Sequence, residues 1–174
     1  MLMWTVALFT AYLVNFSADK TPGNIFVNGL LIAVSNLCGN SLFFLTSMYF
    51  SSRVPILIAL FVAFCASLLY QFIIGATPAL ATVIFASLKG LSEMISSFSY
   101  QANLEYFAPL YQSRVYALTN CMGAVGGLLA PVISNNLKNP MLLIPGLTAV
   151  CAIFVYRIGA PKYPLRQSGK DTYL

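Results

Sequence analysis

The sequence predicts an all-α protein, a polytopic bundle of six membrane-spanning helices. Six long apolar stretches fill nearly all of the 174 residues and leave only short polar joints between them. Charged residues make up 7% of the chain against a hydrophobic fraction of 59%, and mean hydropathy is +0.83. A water-soluble domain of this size needs far more surface charge. The stretches are continuous apolar runs rather than alternating segments of about ten residues, which disfavours a membrane β-barrel. Backbone groups in lipid must be satisfied within their own segment, and that selects helices.

The spans read, in order, Met1–Phe16, Asn24–Met48, Val54–Ile74, Ala79–Tyr100, Val115–Ser134 and Met141–Gly159. A helix needs about 20 residues to cover a hydrocarbon core of about 30 Å. The first span is the short one, because its residues 1–16 reach only about 24 Å at 1.5 Å per residue. Either that helix is shortened at its start or the chain continues upstream. A cleaved signal peptide over Met1–Ala18 is the rival reading, but a signal opens on positive charge and the first cation here is Lys20.

Span two carries Asn28, Ser35, Asn36 and Asn40, and span five carries Thr119 and Asn120. Amides and hydroxyls in lipid-spanning helices more often bind neighbouring helices than substrates. Gly123 and Gly127 give span five a G-x-x-x-G face, extended by Gly126 and closed by Ala130-Pro131. Such a face admits a second helix backbone closely, and Pro131 can bend the outer end. The transmembrane domain thus covers residues 1–159, and a basic tail covers 160–174.

Orientation follows from the cations. With six spans both termini share a side, and that side holds Arg53, Arg114, Arg157, Lys162, Arg166 and Lys170; the other holds Lys20 and Lys138. The positive-inside rule then puts both termini in the cytoplasm. The formal charge of +5 is a topology signal, not a nucleic-acid one. The tail can lie on anionic lipid, and its end, Thr172-Tyr173-Leu174, fits a carboxy-terminal ligand that adds to the sheet edge of a PDZ domain. Asn15-Phe16-Ser17 is formally a glycosylation sequon, but it abuts the membrane.

Enzyme chemistry has little to stand on. There is no histidine, only four carboxylates, and the four cysteines sit in four different spans without C-x-x-C spacing. No metal cluster, cofactor loop or activated nucleophile is expected.

The informative groups are ionisable and lie at membrane depth, where a charge is costly and generally faces a bundle interior or an aqueous path. Span four holds Lys89 and Glu93 at i, i+4, so both heads meet on one face. At 100° per residue Ser96 and Tyr100 share that face, with Ser97 beside them. One reading makes Lys89, Glu93, Ser96 and Tyr100, with Asn36 opposite, the wall of a path for a small-molecule solute. The other makes the ion pair an internal brace between helices.

Several runs resemble a known family. Lys89-Gly90, Tyr100, Glu105-Tyr106-Phe107-Ala108-Pro109, Arg114 and Gly126-Gly127-Leu128-Leu129-Ala130-Pro131 resemble helices ten and eleven of the major facilitator superfamily. The likeness is to its organic cation, organic anion and carnitine transporters in particular. Asn15-Phe16 and Gly23-Asn24-Ile25-Phe26-Val27-Asn28 are similar to that family's seventh and eighth helices. The resemblance implies the carboxy-terminal half of a twelve-helix transporter, made of two inverted three-helix units, 1–74 and 79–159, around a midplane cavity. It also implies a gating role for Glu105, Arg114 and Arg53 at the cytoplasmic rim, with Glu105 and Arg114 pairing across a turn. The chain departs from the pattern at Ser51-Ser52-Arg53, where relatives have an acid, a glycine and paired arginines. It departs also in the spacing before Pro109 and Arg114, at Leu110, and at Ala124, so organic-ion specificity does not follow from the resemblance.

Two functional classes result. The first is alternating-access transport of a small organic solute, with the site completed by an amino-terminal half or by a homodimer. The second is a non-transporting structural or regulatory subunit that keeps the half-transporter fold.

Overall fold

The computed structural model describes residues 2–18, 24–137 and 139–158. They form α1 (Leu2–Phe16), α2 (Ile25–Ser47), α3 (Arg53–Ile73), α4 (Pro78–Tyr106), α5 (Pro109–Asn136) and α6 (Leu143–Ile158), with a 3-10 turn over Pro140–Leu142 leading into α6. Helices α2 to α5, and the 19 residues from Pro140 to Ile158, are long and apolar enough to cross a bilayer. α1 is the shorter apolar helix. By length and composition this is a multi-pass membrane protein. Its outer surface agrees, with Phe26 84%, Phe72 80% and Leu110 80% exposed, an apolar covering suited to lipid rather than water. Lys20, Lys138, Gly159 and the tail with Lys162, Arg166, Lys170 and Thr172-Tyr173-Leu174 lie outside the described residues.

One joint differs from the hydropathy reading. α4 continues past Tyr100 to Tyr106 and α5 begins at Pro109, so the turn shrinks to Phe107 and Ala108. Residues 101–114 are polar enough to fall out of an apolar window, yet they are helical for local reasons. Pro109 occupies the first turn of α5, where its missing N–H is no loss. From that same turn the Gln112 amide donates to the carbonyls of Leu104 (3.2 Å) and Phe107 (3.1 Å), satisfying the open end of α4. At the start of α2 the Asn24 side chain accepts from the Phe26 N–H at 2.9 Å, a normal N-cap.

α4 is the hub, packed against α1, α2 and α3. It feeds two apolar clusters. Ala81, Phe85 and Leu88 join Leu13, Val14, Ala63 and Tyr70, while Ile95, Phe98 and Ala102 join Val6, Ile56, Leu60 and Cys151. The packed pairs are α1 with α5, α2 with α4, α3 with α4, α3 with α6, α1 with α4, and more lightly α1 with α6. Exchanging the first three helices for the last three leaves these six pairs unchanged. α4 and α5 also touch near the joint that connects them. α2 and α5 each lean mainly on one neighbour and are the least buried of the long helices.

Close backbone approach explains both of those leaning contacts. On α5, Gly123 lies under Trp4 and Leu8, Gly127 under the Tyr12 ring, and a Cβ at Gly126 would sit 2.8 Å from the Thr5 carbonyl oxygen. Small residues allow such contact, and in lipid this packing replaces the hydrophobic drive of water. Pro131 sits within α5, which continues through it to Asn136. Gly126→Ala should lower resistance to unfolding by SDS by about 1 kcal/mol or more through overpacking. Gly146→Ala, with open space around its Cβ, should not, and equal behaviour of the two would refute the contact.

Candidate functional sites on α4

Lys89 stands near the middle of α4, roughly 16 Å from its start at 1.5 Å per residue. It is 4% exposed, and its Nζ donates to Glu93 Oε1 at 2.5 Å. This is the one ion pair among the described residues. The two partners differ in exposure, since the Glu93 side chain keeps 30% of its surface open and the Lys89 side chain 5%. An ammonium buried that deeply requires a partner, and a carboxylate one turn on along the same helix supplies it without demanding a second element.

The pair adjoins the tightest crossing in the bundle. Gly90 follows Lys89 directly, and a Cβ there would stand 2.6 Å from the Ser35 carbonyl oxygen; one on Gly39 would stand 2.2 Å from the Gly90 carbonyl oxygen. Backbone of α2 therefore lies on backbone of α4. Asn36, next to Ser35, is half-buried, and its Oδ1 is buried without a partner among the described residues. Asn40, one turn further on, accepts a long bond from Ser97 Oγ at 3.4 Å. Ser96 is buried and donates to the Ser92 carbonyl in its own helix at 2.8 Å, so its hydroxyl is spent locally.

Tyr100 ties three helices together. Its hydroxyl donates to Asn120 Oδ1 at 3.2 Å, its ring meets Trp4 edge-on at 3.9 Å between centroids, and Tyr116 lies 4.9 Å away. A cavity of about 370 Å³ opens beyond this cluster, between the first turn of α1, the start of α3, the end of α4, α5 and the end of α6. Tyr100 lines it; Lys89, Glu93, Ser96 and Asn36 do not.

At that end of the bundle the expected rim residues part company. The expected Glu105–Arg114 pair is absent: Arg114 is exposed on α5, and Glu105 is fully buried against α3. Both Glu105 oxygens accept from the Ser52 N–H at 3.2 Å, Oε2 accepts from Ser52 Oγ at 2.6 Å, and Oε1 accepts from Gln101 Nε2 at 2.8 Å. The physical reason is the extended α4. With Tyr106 still helical, Glu105 points into the bundle, where the N-terminus of α3 offers unsatisfied N–H groups and the positive end of its dipole. Arg53 turns instead to α6, where Nη2 donates to the Tyr156 carbonyl at 3.0 Å.

Several of these partners carry little signal in the sequence. Gly39 and Gly90 lack G-x-x-x-G spacing, and their one mark is the looser small-x-x-x-small pairing of Ser35 with Gly39 and Ala86 with Gly90. Ser52 and Gln101 look like ordinary polar residues until Glu105 is placed beside them. Gln112 had a partial signal, since Pro109 marks a helix start and the open carbonyls of a helix end just before it need a donor. No family model matches the chain, and no curated protein shows significant similarity to it.

Proposed function

We propose that this chain is one half of an alternating-access carrier for a small organic solute, its binding face completed by an amino-terminal half or by a second copy. The observation that carries the reading is the Lys89–Glu93 pair in the middle of the most central helix, with the Glu93 carboxylate still partly open. A brace between helices would bury both heads, whereas an open carboxylate beside a buried ammonium offers a solute one exchangeable oxygen. A cation or hydrogen-bond donor on the solute engages that oxygen while Lys89 keeps the other charge compensated. The exchange symmetry of the helix pairs supports two three-helix repeats, the construction on which rocking carriers are built. The sparse packing of α2 and α5 leaves them as the faces for the second half. The cation distribution supports cytoplasmic termini, with the Glu105–Ser52 contact as a latch on that rim.

Uptake into proteoliposomes tests this directly, using tetraethylammonium, carnitine and benzoate as cationic, zwitterionic and anionic probes. The wild-type chain should accumulate at least one probe above empty vesicles. Lys89→Ala and Glu93→Gln should each reduce that flux by about tenfold or more, the scale of removing one partner from a buried charge pair. Unchanged flux in both variants removes the pair from the path. Absence of flux for every probe, with the protein folded and inserted, rules out completion by a second copy and leaves a half that needs an amino-terminal partner or the non-transporting subunit, the latter a reading to which the self-cancelling charge of an i, i+4 pair lends weight.

A further inference from the structure

The cavity at the Ser52–Tyr106 end has a chemistry of its own. Its walls are mostly apolar, with Met3, Ile56, Val115, Cys151 and Val155 among them, and its volume of about 370 Å³ falls within the range of small-molecule sites. Among the described residues one cationic side chain lines it. Arg53 is anchored through Nη2 to the Tyr156 carbonyl, while its Nε is buried and has no hydrogen-bond partner among the described residues. Among the described residues no carboxylate stands within ion-pair distance of this guanidinium. Glu105, the nearest acid along the adjoining helix end, is fully buried, held by Ser52 and Gln101, and outside the cavity wall. Asn103, also in the wall, has a buried amide oxygen without a partner among the described residues, and an amide can turn either its oxygen or its NH2 to a ligand.

A buried N–H on a charged group is costly to leave unmade, and an apolar chamber of this size does not suit water alone. Four exposed side chains stand on the wall: Phe107 from the α4–α5 turn with Phe154 and Ile158 from α6 are apolar, and Tyr116 from α5 adds one phenol. The site therefore asks for an acceptor head at Arg53 and an apolar body that enters past Phe107, Phe154 and Ile158. A cationic head would be repelled by the same guanidinium.

We propose that this cavity binds a single-chain anionic amphiphile, with its apolar chain among Ile56, Val115, Cys151 and Val155 and its anionic head on the Arg53 guanidinium. A free fatty acid and one acyl chain of an anionic phospholipid present the same chemistry. The site is separate from the Lys89–Glu93 pair and requires no transport activity. Trp4, the chain's single tryptophan, lies in the wall and is 4% exposed, so it reports on the cavity more than on the surrounding bilayer.

The test is quenching of Trp4 fluorescence in the full chain held in phosphatidylcholine nanodiscs. Stearic acid brominated at mid-chain should quench saturably, and the matched brominated alcohol should do so only weakly. Arg53→Gln should raise the half-saturating mole fraction of the acid by about tenfold or more, the scale of one hydrogen bond to a charged group, and Arg53→Lys should largely restore it. Val115→Phe, which fills the cavity and leaves the cation in place, should abolish the saturable component, and it serves if Arg53→Gln does not fold. Nanodiscs containing phosphatidylglycerol with brominated chains separate the sources. Arginine-dependent quenching there assigns the site to a bilayer lipid, and quenching by the added acid alone assigns it to a free fatty acid. Equal quenching by acid and alcohol, indifference to Arg53→Gln in folded protein, or no saturable quenching from either source overturns the proposal.

Discussion

Gly39→Ala will weaken the bundle far more than a single methyl group ordinarily does. The added Cβ would lie 2.2 Å from the Gly90 carbonyl oxygen and 2.9 Å from its carbon, and both are backbone atoms that cannot rotate away. α2 must move off α4 to admit it. Overpacking of this kind costs about 1–3 kcal/mol, and nothing in the helix offsets that beyond the gain of about 1 kcal/mol that alanine brings over glycine in a helix interior. Gly90→Ala meets the Ser35 carbonyl oxygen at 2.6 Å and should behave alike. Because both substitutions break one contact, the double variant should lose less than the sum. Gly29→Ala, on the same α2 with open space around it, is the matched control and should be neutral or slightly stabilising. Unfolding in SDS, followed by the loss of helical signal, reads all four. A Gly39→Ala protein as resistant as Gly29→Ala would mean that the two helices are not in backbone contact.

The same substitution reaches function, because Lys89 precedes Gly90. Pushing α2 away disturbs the α4 backbone next to the buried ammonium and its carboxylate. A carrier that uses this pair should therefore lose uptake in Gly39→Ala even where the protein stays folded, and Gly29→Ala should keep it.

These contacts show where sequence reading stops. The helices were legible because lipid leaves the backbone few alternatives, so an apolar run of bilayer length is already a helix. The i, i+4 spacing of Lys89 and Glu93 was legible for the same reason, since both partners lie on one element and need no tertiary information. The joint between α4 and α5 was not, because its helical residues are polar and hydropathy registers only lipid contact. Its Pro109 start signal was present in the sequence but gave way to the apolar count. Contacts such as Gly39 on Gly90, or Ser52 on Glu105 across 53 residues, depend on which helix lies beside which, and no local pattern encodes that. The pairing of Glu105 with Arg114 that the resemblance implies fails for the same reason, since α4 runs on to Tyr106 and carries the carboxylate to Ser52.

Glu105→Ala should be the most damaging change at the rim. The carboxylate is fully buried and accepts from the Ser52 N–H, the Ser52 hydroxyl and the Gln101 amide. Alanine leaves all three donors without an acceptor and removes an anion from the N-terminus of α3, while the lost side-chain volume adds a cavity. Unpartnered buried donors cost about 1–3 kcal/mol each in such settings and are not additive, so a loss of about 2–4 kcal/mol is expected. Glu105→Gln keeps the shape and one acceptor oxygen but turns an NH2 toward at least one existing donor, and should fall between alanine and wild type. Ser52→Ala removes only the 2.6 Å hydroxyl contact and should cost about 1–2 kcal/mol. The Ser52 and Glu105 changes should then couple strongly in a double-mutant cycle, since they remove the same bond. Arg114→Ala separates this account from the turn-spanning ion pair. The guanidinium is exposed and unpaired with Glu105, so its removal should shift stability by no more than about 0.5 kcal/mol and show no coupling to Glu105. Strong coupling of Arg114 to Glu105, with none between Ser52 and Glu105, would return the carboxylate to the surface and shorten α4 to the length that hydropathy alone assigns.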